Sequence, residues 1–454
     1  MTVPTFKPAR RLLAVAISAS LLLQSGQAAA IGLLQAYDAA LKNDPTFQAA
    51  RFENEAGQQN RALGRSSLLP QISASYYGAK NNSDVTYLKY YQGKDVTVPR
   101  DYNSRVASVS LKQPLINFDG IARYRQGIAQ SDYSDAVFAG KSEDLILRLV
   151  GAYADAQFAE DQLLLATAQR DAYVEQMKVN KRMFDLGEGT KTDMLETQAK
   201  AELSEAQVIE ARDNLANARN ALAGIVGIDI KHLDGLSPHF RPLPQPRTKV
   251  EDWLGLALEK NAELTAQRHA VEAARLEVHK QRSGHAPRLD LIASYSDNKS
   301  ESLSNYNQVV EQRAIGLQLS VPIYSGGYVN AATSQAIANH SRAKAELDAK
   351  VSQVTVELRK QHALLTSGTA KIDALMKAVD AAKTLVTATQ KSIQGGVRVN
   401  LDLLNAQQQL YTAQRDLAQA RYNYLLAYLR LHNAAGVLTV DEVQKVAGHF
   451  APSK

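Results

Sequence analysis

The chain has 454 residues, a formal net charge of +6 and no cysteine, which excludes disulfides, thiolate metal sites, cysteine nucleophiles and a lipid anchor on cysteine within this sequence. Acidic and basic residues are interspersed, so the charge pattern gives no support for a nucleic-acid-binding surface. A single tryptophan and a mean hydropathy of -0.28 do not indicate a large globular core.

The first predicted element is a secretory signal peptide over residues 1–30. Lys7, Arg10 and Arg11 precede an apolar run from Leu12 to Leu23, and small residues follow at 28–30. That run is shorter than the roughly 20 residues that a transmembrane helix needs, and no later apolar run is longer. Removal of the three basic residues lowers the formal charge from +6 to +3 (6 − 3), and we expect a mature chain without a transmembrane helix.

Two short segments that precede long proline-free regions alternate apolar and polar residues. VASVSLKQP begins at Val106 and RAIGLQLSVP begins at Arg313, and each has an upstream partner, ISASYYGA from Ile72 and LDLIASYSD from Leu289. This alternation predicts four strands of about ten residues, the length of a tilted strand that crosses a bilayer. Residues 80–103 are rich in Asn, Ser, Asp and Tyr and are predicted to be a polar loop at an extracellular rim.

The two proline-free regions, after Pro114 and after Pro322, predict long helices. Apolar residues recur in them at helical spacing, and each region contains a glycine pair where the chain can reverse, Gly187 with Gly189 and Gly395 with Gly396. Each region is therefore predicted to be a long antiparallel helical hairpin. A helix of about 100 Å cannot bury its apolar stripe by itself, so neighbouring helices and an oligomer are expected.

The chain contains an internal duplication. An offset of 209 positions pairs Gly187 with Gly396 and Asp193 with Asp402. A second pair of segments also matches, LKNDPTFQAARF at Leu41 and LEKNAELTAQRH at Leu258, at an offset of 217 positions (258 − 41). An alternative explanation for the first match alone is that helices rich in Ala, Gln and Leu resemble one another. We predict a first repeat over 31–235, a proline-rich connector over 236–250, a second repeat over 251–436 and a C-terminal tail over 437–454.

Four strands are too few to close a barrel by themselves, because about eight is the smallest closed number and an open edge in lipid leaves backbone groups unsatisfied. Several chains must therefore share one barrel. Cyclic symmetry would then set the long helices side by side as a tube. A signal peptide, membrane strands and long helices together predict a conduit that leads from the outer membrane across the periplasm.

The most specific stretch of the sequence is GGVRVNLDLLNAQQQLYTAQRDLAQARYNYLLAYLRLHNAAG, from Gly395 to Gly436. With this stretch the sequence resembles the TolC family of outer-membrane channel proteins, and the resemblance covers essentially the whole mature chain. The resemblance implies a mainly α protein with a membrane β-barrel: a homotrimer with an α-helical tunnel and a shared 12-stranded barrel in the outer membrane of a Gram-negative bacterium. Similarity to the type I secretion branch implies export of a protease or lipase with an inner-membrane ABC transporter and its periplasmic adaptor.

The same resemblance places a gate at the glycine turns, which would form the periplasmic tip and contact the adaptor. The family's gate motif matches Thr192, Asp193, Arg398 and Asp402 of this sequence. The resemblance implies that Arg398 pairs with Thr192 and Asp193 of an adjacent subunit. This sequence departs from the family at Asn405, where an acid is common, and at Ile393, where well-known members have tyrosine. We therefore expect three entrance carboxylates instead of six, weaker cation selectivity and a less tightly locked closed state.

Ordinary explanations for the gate residues stay open at this point. Asp193 and Glu196 fit a capping-box-like helix start, and Arg398 and Asp402 fit a surface pair one helical turn apart. A drug-efflux channel is the alternative transport function, and a soluble periplasmic coiled-coil scaffold is the alternative outside transport. The histidines are dispersed and no phosphate-binding or nucleophile motif is present, so neither an enzyme nor a cofactor is predicted.

Overall fold

A computed structural model describes residues 31–237, 240–243, 249–300 and 308–451. The predicted signal peptide and parts of the predicted connector, 238–239 and 244–248, lie outside the described residues. The chain divides into two compact units. Unit 1 comprises Met1–Ala50, Lys141–Asn261 and Val354–Lys454, and unit 2 comprises Arg51–Gly140 and Ala262–Gln353.

Through the second long helix of each half, the two halves contain the same kinds of element in the same order, and the second half has an additional helix before its last strand. The first half consists of α1 (Leu33–Asn43), α2 (Pro45–Ser66), β1 (Gln71–Tyr91), β2 (Lys94–Ile116), α3 (Phe118–Asp185), α4 (Lys191–Val226) and β3 (Gly235–Leu236). The second half consists of α5 (Val250–Lys260), α6 (Ala262–Arg282), β4 (Arg288–Ser300), β5 (Gln308–Ser320), α7 (Tyr328–Gln394), α8 (Asn400–Ala434), α9 (Val440–Ala447) and β6 (Phe450–Ala451).

The predicted long helices are confirmed. Helix α3 has 68 residues and α7 has 67, and each is followed after a short turn by a helix of 36 or 35 residues. None of these four helices contains proline, which would remove a backbone donor from the helix interior. None of the helices in the described residues combines the length and the apolar character that a membrane-crossing helix requires.

Two helices precede the strands in each half, separated at Asp44 in the first half and at Asn261 in the second. Asp44 adopts φ -66° and ψ 114°, because Pro45 disfavours helical backbone in the residue before it. At both breaks an asparagine caps a long helix. Asn43 Nδ2 donates to Val226 O at 2.9 Å, and Asn261 Nδ2 donates to Ala434 O at 3.1 Å. The two halves thus form the same kind of contact, although Asn43 lies one residue before the first break and Asn261 lies at the second.

Unit 2 contains a four-stranded antiparallel sheet in the order β1-β2-β4-β5. Serines occupy one face, where the hydroxyls of Ser73 and Ser110 are 2.8 Å apart, as are those of Ser75 and Ser108. The register places apolar residues together on the opposite face: Ile72, Ala74, Val109, Leu111, Leu291, Ala293, Ile315 and Leu317. Strands β1 and β5 form the two edges of this sheet.

The prediction of a polar loop over 80–103 is wrong. These residues continue β1 and β2 as a two-stranded ribbon, paired from Lys80 with Asn103 to Tyr91 with Lys94. The polar side chains pair across the strands: Asn82 Nδ2 donates to Asp101 Oδ1 at 2.7 Å, and the hydroxyls of Thr86 and Thr97 are 2.9 Å apart. Polar composition therefore indicated exposure to solvent but did not exclude β-structure.

The predicted C-terminal tail contains α9 and β6. Strand β6 pairs with β3, with Phe450 opposite Leu236, and the ring of Phe450 packs edge-on against Tyr153 at 5.2 Å. Tyr153 is fully buried, and its hydroxyl accepts a hydrogen bond from Asp234 N and donates to Ile31 O, each at 3.0 Å. Both ends of the described chain are thus fixed in unit 1.

Candidate functional site: the helical hairpin turns

The two hairpin turns have the same backbone hydrogen bonds at an offset of 209 residues. In the first turn Gly187 N donates to Phe184 O at 3.0 Å and Glu188 N donates to Met183 O at 2.8 Å. In the second, Gly396 N donates to Ile393 O at 2.9 Å and Val397 N donates to Ser392 O at 3.0 Å. Each pair of bonds is a Schellman motif, which satisfies the last carbonyls of the incoming helix.

Only one glycine of each predicted pair is required by backbone conformation. Gly187 and Gly396 have φ of 80° and 74°, in the left-handed region that disfavours a side chain. Gly189 is constrained by space, since a Cβ there would lie 3.1 Å from Met183 Cβ. A Cβ at Gly395 would make ordinary contacts at 3.6 Å.

The helices that leave the two turns begin differently. Thr190 caps α4: its Oγ1 accepts a hydrogen bond from Asp193 N at 3.1 Å and donates to Asp193 Oδ2 at 2.6 Å. The N-cap residue is therefore Thr190, three residues before the Asp193 that the sequence suggested. Asp193 is the third residue of the helix, and it is the partner of the cap. Val399 precedes α8 and provides no side-chain cap, so this helix start has one stabilising contact fewer.

Arg398 and Asp402 form an ion pair within the chain. Arg398 Nη1 lies 3.7 Å from Asp402 Oδ2, and the two side chains are 52% and 38% exposed. Within a single chain, Arg398 and Asp402 therefore form the surface pair one helical turn apart that the sequence allowed. At this distance and exposure the pair contributes at most a few tenths of a kcal/mol, and the guanidinium keeps donors free for other acceptors.

The chain does not bring the predicted gate residues into one cluster. Thr192 and Asn405 are exposed and Asp193 is half-buried. Among the described residues no ion pair joins Arg398 to Asp193. Asp193 and Asp402 are instead equivalent, each being the third residue of its helix, where a carboxylate is favoured by the helix dipole.

A buried polar cluster close to the turns was not predicted. It consists of Gln176, Asn180, Thr197 and Asn400. Asn180 Nδ2 and Asn400 Nδ2 both donate to Thr197 Oγ1, at 2.6 and 3.1 Å, and the hydroxyl donates to Asp193 O at 2.7 Å. Gln176 Nε2 donates to Asn400 Oδ1 at 2.9 Å. This turn-proximal polar cluster joins α3, α4 and α8, with Thr197 fully buried and Asn180 6% exposed.

A second polar contact lies further along the same helices. Gln169 Nε2 donates to Gln408 Oε1 at 2.7 Å, and Tyr173, whose pKa is raised by burial, lies between them and Leu404. A cluster of apolar residues packs here: Tyr173, Ala201 and Leu404 with Val174 and Met177. The sequence could have pointed to this contact only through an amide or hydroxyl group at a core-facing helical position. The contact itself was not predictable, because Gln408 and Leu404 lie more than 200 residues from Gln169 and Tyr173.

The polar groups of this site hold helices α3, α4 and α8 together by hydrogen bonds. Amide and hydroxyl groups in a buried cluster make directional bonds that persist only in one packing of the helices, because an unpaired buried polar group costs free energy. No group of three or more metal-binding side chains occurs among the described residues. The arrangement can therefore hold two hairpins together or release them.

Solved structures of outer-membrane proteins share this fold. VceC of Vibrio cholerae matches with a TM-score of 0.75 over 89% of this chain and 96% of that chain, at 18% identity. CmeC of Campylobacter jejuni matches with a TM-score of 0.77 over 92% of this chain and 89% of that chain, at 16% identity.

The chain belongs to the outer membrane efflux protein family, whose model matches residues 36–228 and 253–437. The two matched regions reproduce the duplication, and the predicted resemblance to TolC-family proteins is confirmed. The chain is therefore an outer-membrane protein of a Gram-negative bacterium.

Two curated relatives are similar over nearly their full length. The alkaline protease secretion protein AprF of Pseudomonas aeruginosa is 46% identical over 97% of this chain and 92% of that protein. The proteases secretion protein PrtF of Dickeya chrysanthemi is 40% identical over 96% of this chain and 95% of that protein. The outer membrane protein TolC of Escherichia coli is 29% identical over 96% of this chain and 88% of that protein.

Proposed function

We propose that this protein is the outer-membrane exit duct of a type I secretion system that exports a protease or lipase. The observation that carries the proposal is its 46% identity to a protease secretion protein over 97% of the chain. A conserved fold alone would not identify the passenger, since one fold serves several transport functions. The duct itself performs no enzymatic reaction in this proposal and needs no cofactor.

The open sheet supports assembly into a homotrimer. The outer edges of β1 and β5 lie at the two sides of a sheet with one apolar and one serine-rich face. In lipid, such edges must pair with another strand, because no water is present to satisfy the backbone. Three copies joined edge to edge give 12 strands and one closed barrel, with the serine-rich face lining the water-filled interior.

The hairpin turns are the proposed periplasmic gate and the contact with the adaptor. Arg398 is bound to Asp402 only weakly within the chain, so its planar guanidinium has donors left for Thr192 and Asp193 of an adjacent subunit. Binding of the periplasmic adaptor and the inner-membrane ABC transporter would favour a packing in which these links are broken. Opening is thus a population shift between two packings of the hairpins.

A secretion assay tests the transport proposal. The chain is produced in a Pseudomonas aeruginosa strain that lacks AprF, and protease activity is measured in the medium and in cell extracts. Restored extracellular activity supports the exit-duct function. A correctly inserted protein with no extracellular protease contradicts it, and recovery in the soluble periplasmic fraction would instead favour a coiled-coil scaffold.

Drug efflux is the second candidate function, because the name of the matching family refers to efflux. Two TolC proteins also match this chain over 96% of its length. Production in an Escherichia coli strain that lacks TolC separates the two functions. Restored resistance to toxic compounds without protease export favours efflux. Restored export without resistance favours secretion.

A further inference from the structure

Unit 2 contains a basic cavity of about 420 Å³ at a junction of strands and helices. Helix α3 begins at Phe118, two residues after β2 ends at Ile116, and the turn Ser283–His285 leads from α6 to β4. The cavity lies between the first turns of α3 and the last turns of α6. Its principal lining residues are Phe118, Ile121, Arg125, Arg275, His279 and Arg282.

The cavity has two arginines that are not neutralised by a neighbouring carboxylate. Arg123 pairs with Asp119 at 2.6 Å, and Arg275 is held by Glu272 through hydrogen bonds of 2.6 and 2.8 Å. Within the described part of the chain, Arg125 and Arg282 have no ion pair, and both are exposed. Guanidinium groups without an acidic partner are suited to phosphate, which accepts two parallel hydrogen bonds.

The floor of the cavity is apolar, although it lies beside these charges. Phe118 and Ile121 are 51% and 41% exposed. They are one helical turn apart, and Arg125 follows one turn later on the same side of α3. Leu115 and Ile116, at the end of β2, are likewise about half exposed. A ligand that matches this cavity has an anionic head and an apolar body.

The junction lies where a membrane surface is expected. The strands end here and polar helices begin, and the exposed aromatic residues Tyr324 and Tyr328 follow the end of β5. Tyrosines of this kind are enriched at the interface between lipid and water in outer-membrane barrels. The cavity would then face the leaflet on the periplasmic side.

We propose that this cavity binds the phosphate headgroup of an anionic phospholipid, with Arg125 and Arg282 contacting the phosphate and an acyl chain lying against Phe118 and Ile121. The inference rests on the outer-membrane placement of the strands. It does not depend on the passenger or on the gate. Such a site would fix the depth of the barrel in the membrane.

The test is native mass spectrometry of the purified full-length protein, titrated in detergent with dioleoyl phosphatidylglycerol. The variant Arg125→Gln/Arg282→Gln is compared with Arg51→Gln/Arg123→Gln, which removes the same charge from two surface arginines of unit 2 that are already paired with carboxylates. We expect roughly ten-fold weaker lipid binding for the cavity variant and less than two-fold for the control. Arg125→Lys keeps the charge but loses the paired donors, so we expect binding between that of the wild type and that of the cavity variant.

Three results would overturn the proposal. They are equal binding by the cavity variant and the control, equal binding of dioleoyl phosphatidylcholine, and displacement of the lipid by inorganic phosphate at similar concentration, which would indicate a simple oxyanion site. Single-channel conductance of the same preparations is measured separately. A channel that conducts normally without lipid binding contradicts only the lipid site, and lipid binding without conduction contradicts only the proposed duct.

Discussion

Asn400 donates a hydrogen bond from Nδ2 to Thr197 Oγ1 at 3.1 Å, and this bond joins the start of α8 to the second turn of α4. Thr197 is fully buried, so its hydroxyl has no water to replace a lost partner. The two hairpins of one chain are therefore linked by a specific polar contact a few residues from the turns where gating is proposed.

Removal of this contact should loosen the start of α8. Asn400→Ala removes two hydrogen bonds, the one to Thr197 and the one from Gln176, so we expect the local opening free energy of residues 400–404 to fall by about 1–2 kcal/mol. Hydrogen exchange of that peptide should be about 5- to 30-fold faster. Gln409→Ala, an exposed amide on the same helix, is the control, and equal exchange in both variants would contradict the role assigned to Asn400.

The second turn should tolerate alanine at one glycine and not at its neighbour. Gly396→Ala places a side chain at φ 74°, which costs about 1–2 kcal/mol, whereas Gly395→Ala meets no close contact and no positive φ. We expect faster hydrogen exchange over residues 391–400 in Gly396→Ala only. The same effect in both variants would show that the Schellman geometry does not govern this turn.

Arg398→Ser should raise the single-channel conductance measured in planar bilayers, because it removes the proposed link between adjacent subunits. Arg342→Ser is the matched control: Arg342 and Glu346 form a similar exposed pair one turn apart on α7, at 3.5 Å. Unchanged conductance in Arg398→Ser would leave the channel proposal intact and remove this arginine from the gate.

Asp402→Asn should abolish a modest cation selectivity. In a trimer the entrance would have three Asp402 carboxylates, since Asn405 is uncharged, and their removal should bring the permeabilities of potassium and chloride closer together. Asp380→Asn, an exposed carboxylate on α7, is the control. Strong cation selectivity that persists without Asp402 would be incompatible with its position at the constriction.

Acidification should weaken the docking of α9 through Glu442. Burial favours the neutral acid, but hydrogen bonds from Lys445 and Tyr428 and the nearby His432 outweigh it, so the pKa of Glu442 is lowered from its usual 4.5. A lowered pKa in the folded state means that the contribution of Glu442 to stability is present above about pH 4.5 and is lost as the pH falls through the lower folded value.

Limited proteolysis of α9 at pH 7 and pH 4 measures this effect. Cleavage should increase at pH 4 in the wild type, and Glu442→Gln should be cleaved readily at both pH values. Asp441→Asn, which changes the neighbouring carboxylate, should retain the pH dependence. If Glu442→Gln also retains it, another group is responsible.

The sequence by itself determined the elements that depend on local chemistry. Long proline-free stretches with helical apolar spacing specified α3 and α7, and Gly187 and Gly396 specified where these helices end, because only glycine accepts that backbone conformation readily. Alternation of apolar and polar residues located four strands. The duplication was visible because both halves use the same local signals in the same order.

Only the tertiary structure decided the contacts between residues that are far apart in the chain. Asn180, Thr197 and Asn400 look like ordinary polar helix residues until packing buries them together, and the ribbon over 80–103 is stabilised by pairing that its polar composition does not reveal. The basic cavity likewise depends on two helices meeting. Local propensity fixes where the backbone bends, whereas burial and hydrogen-bond partners are properties of the packed chain.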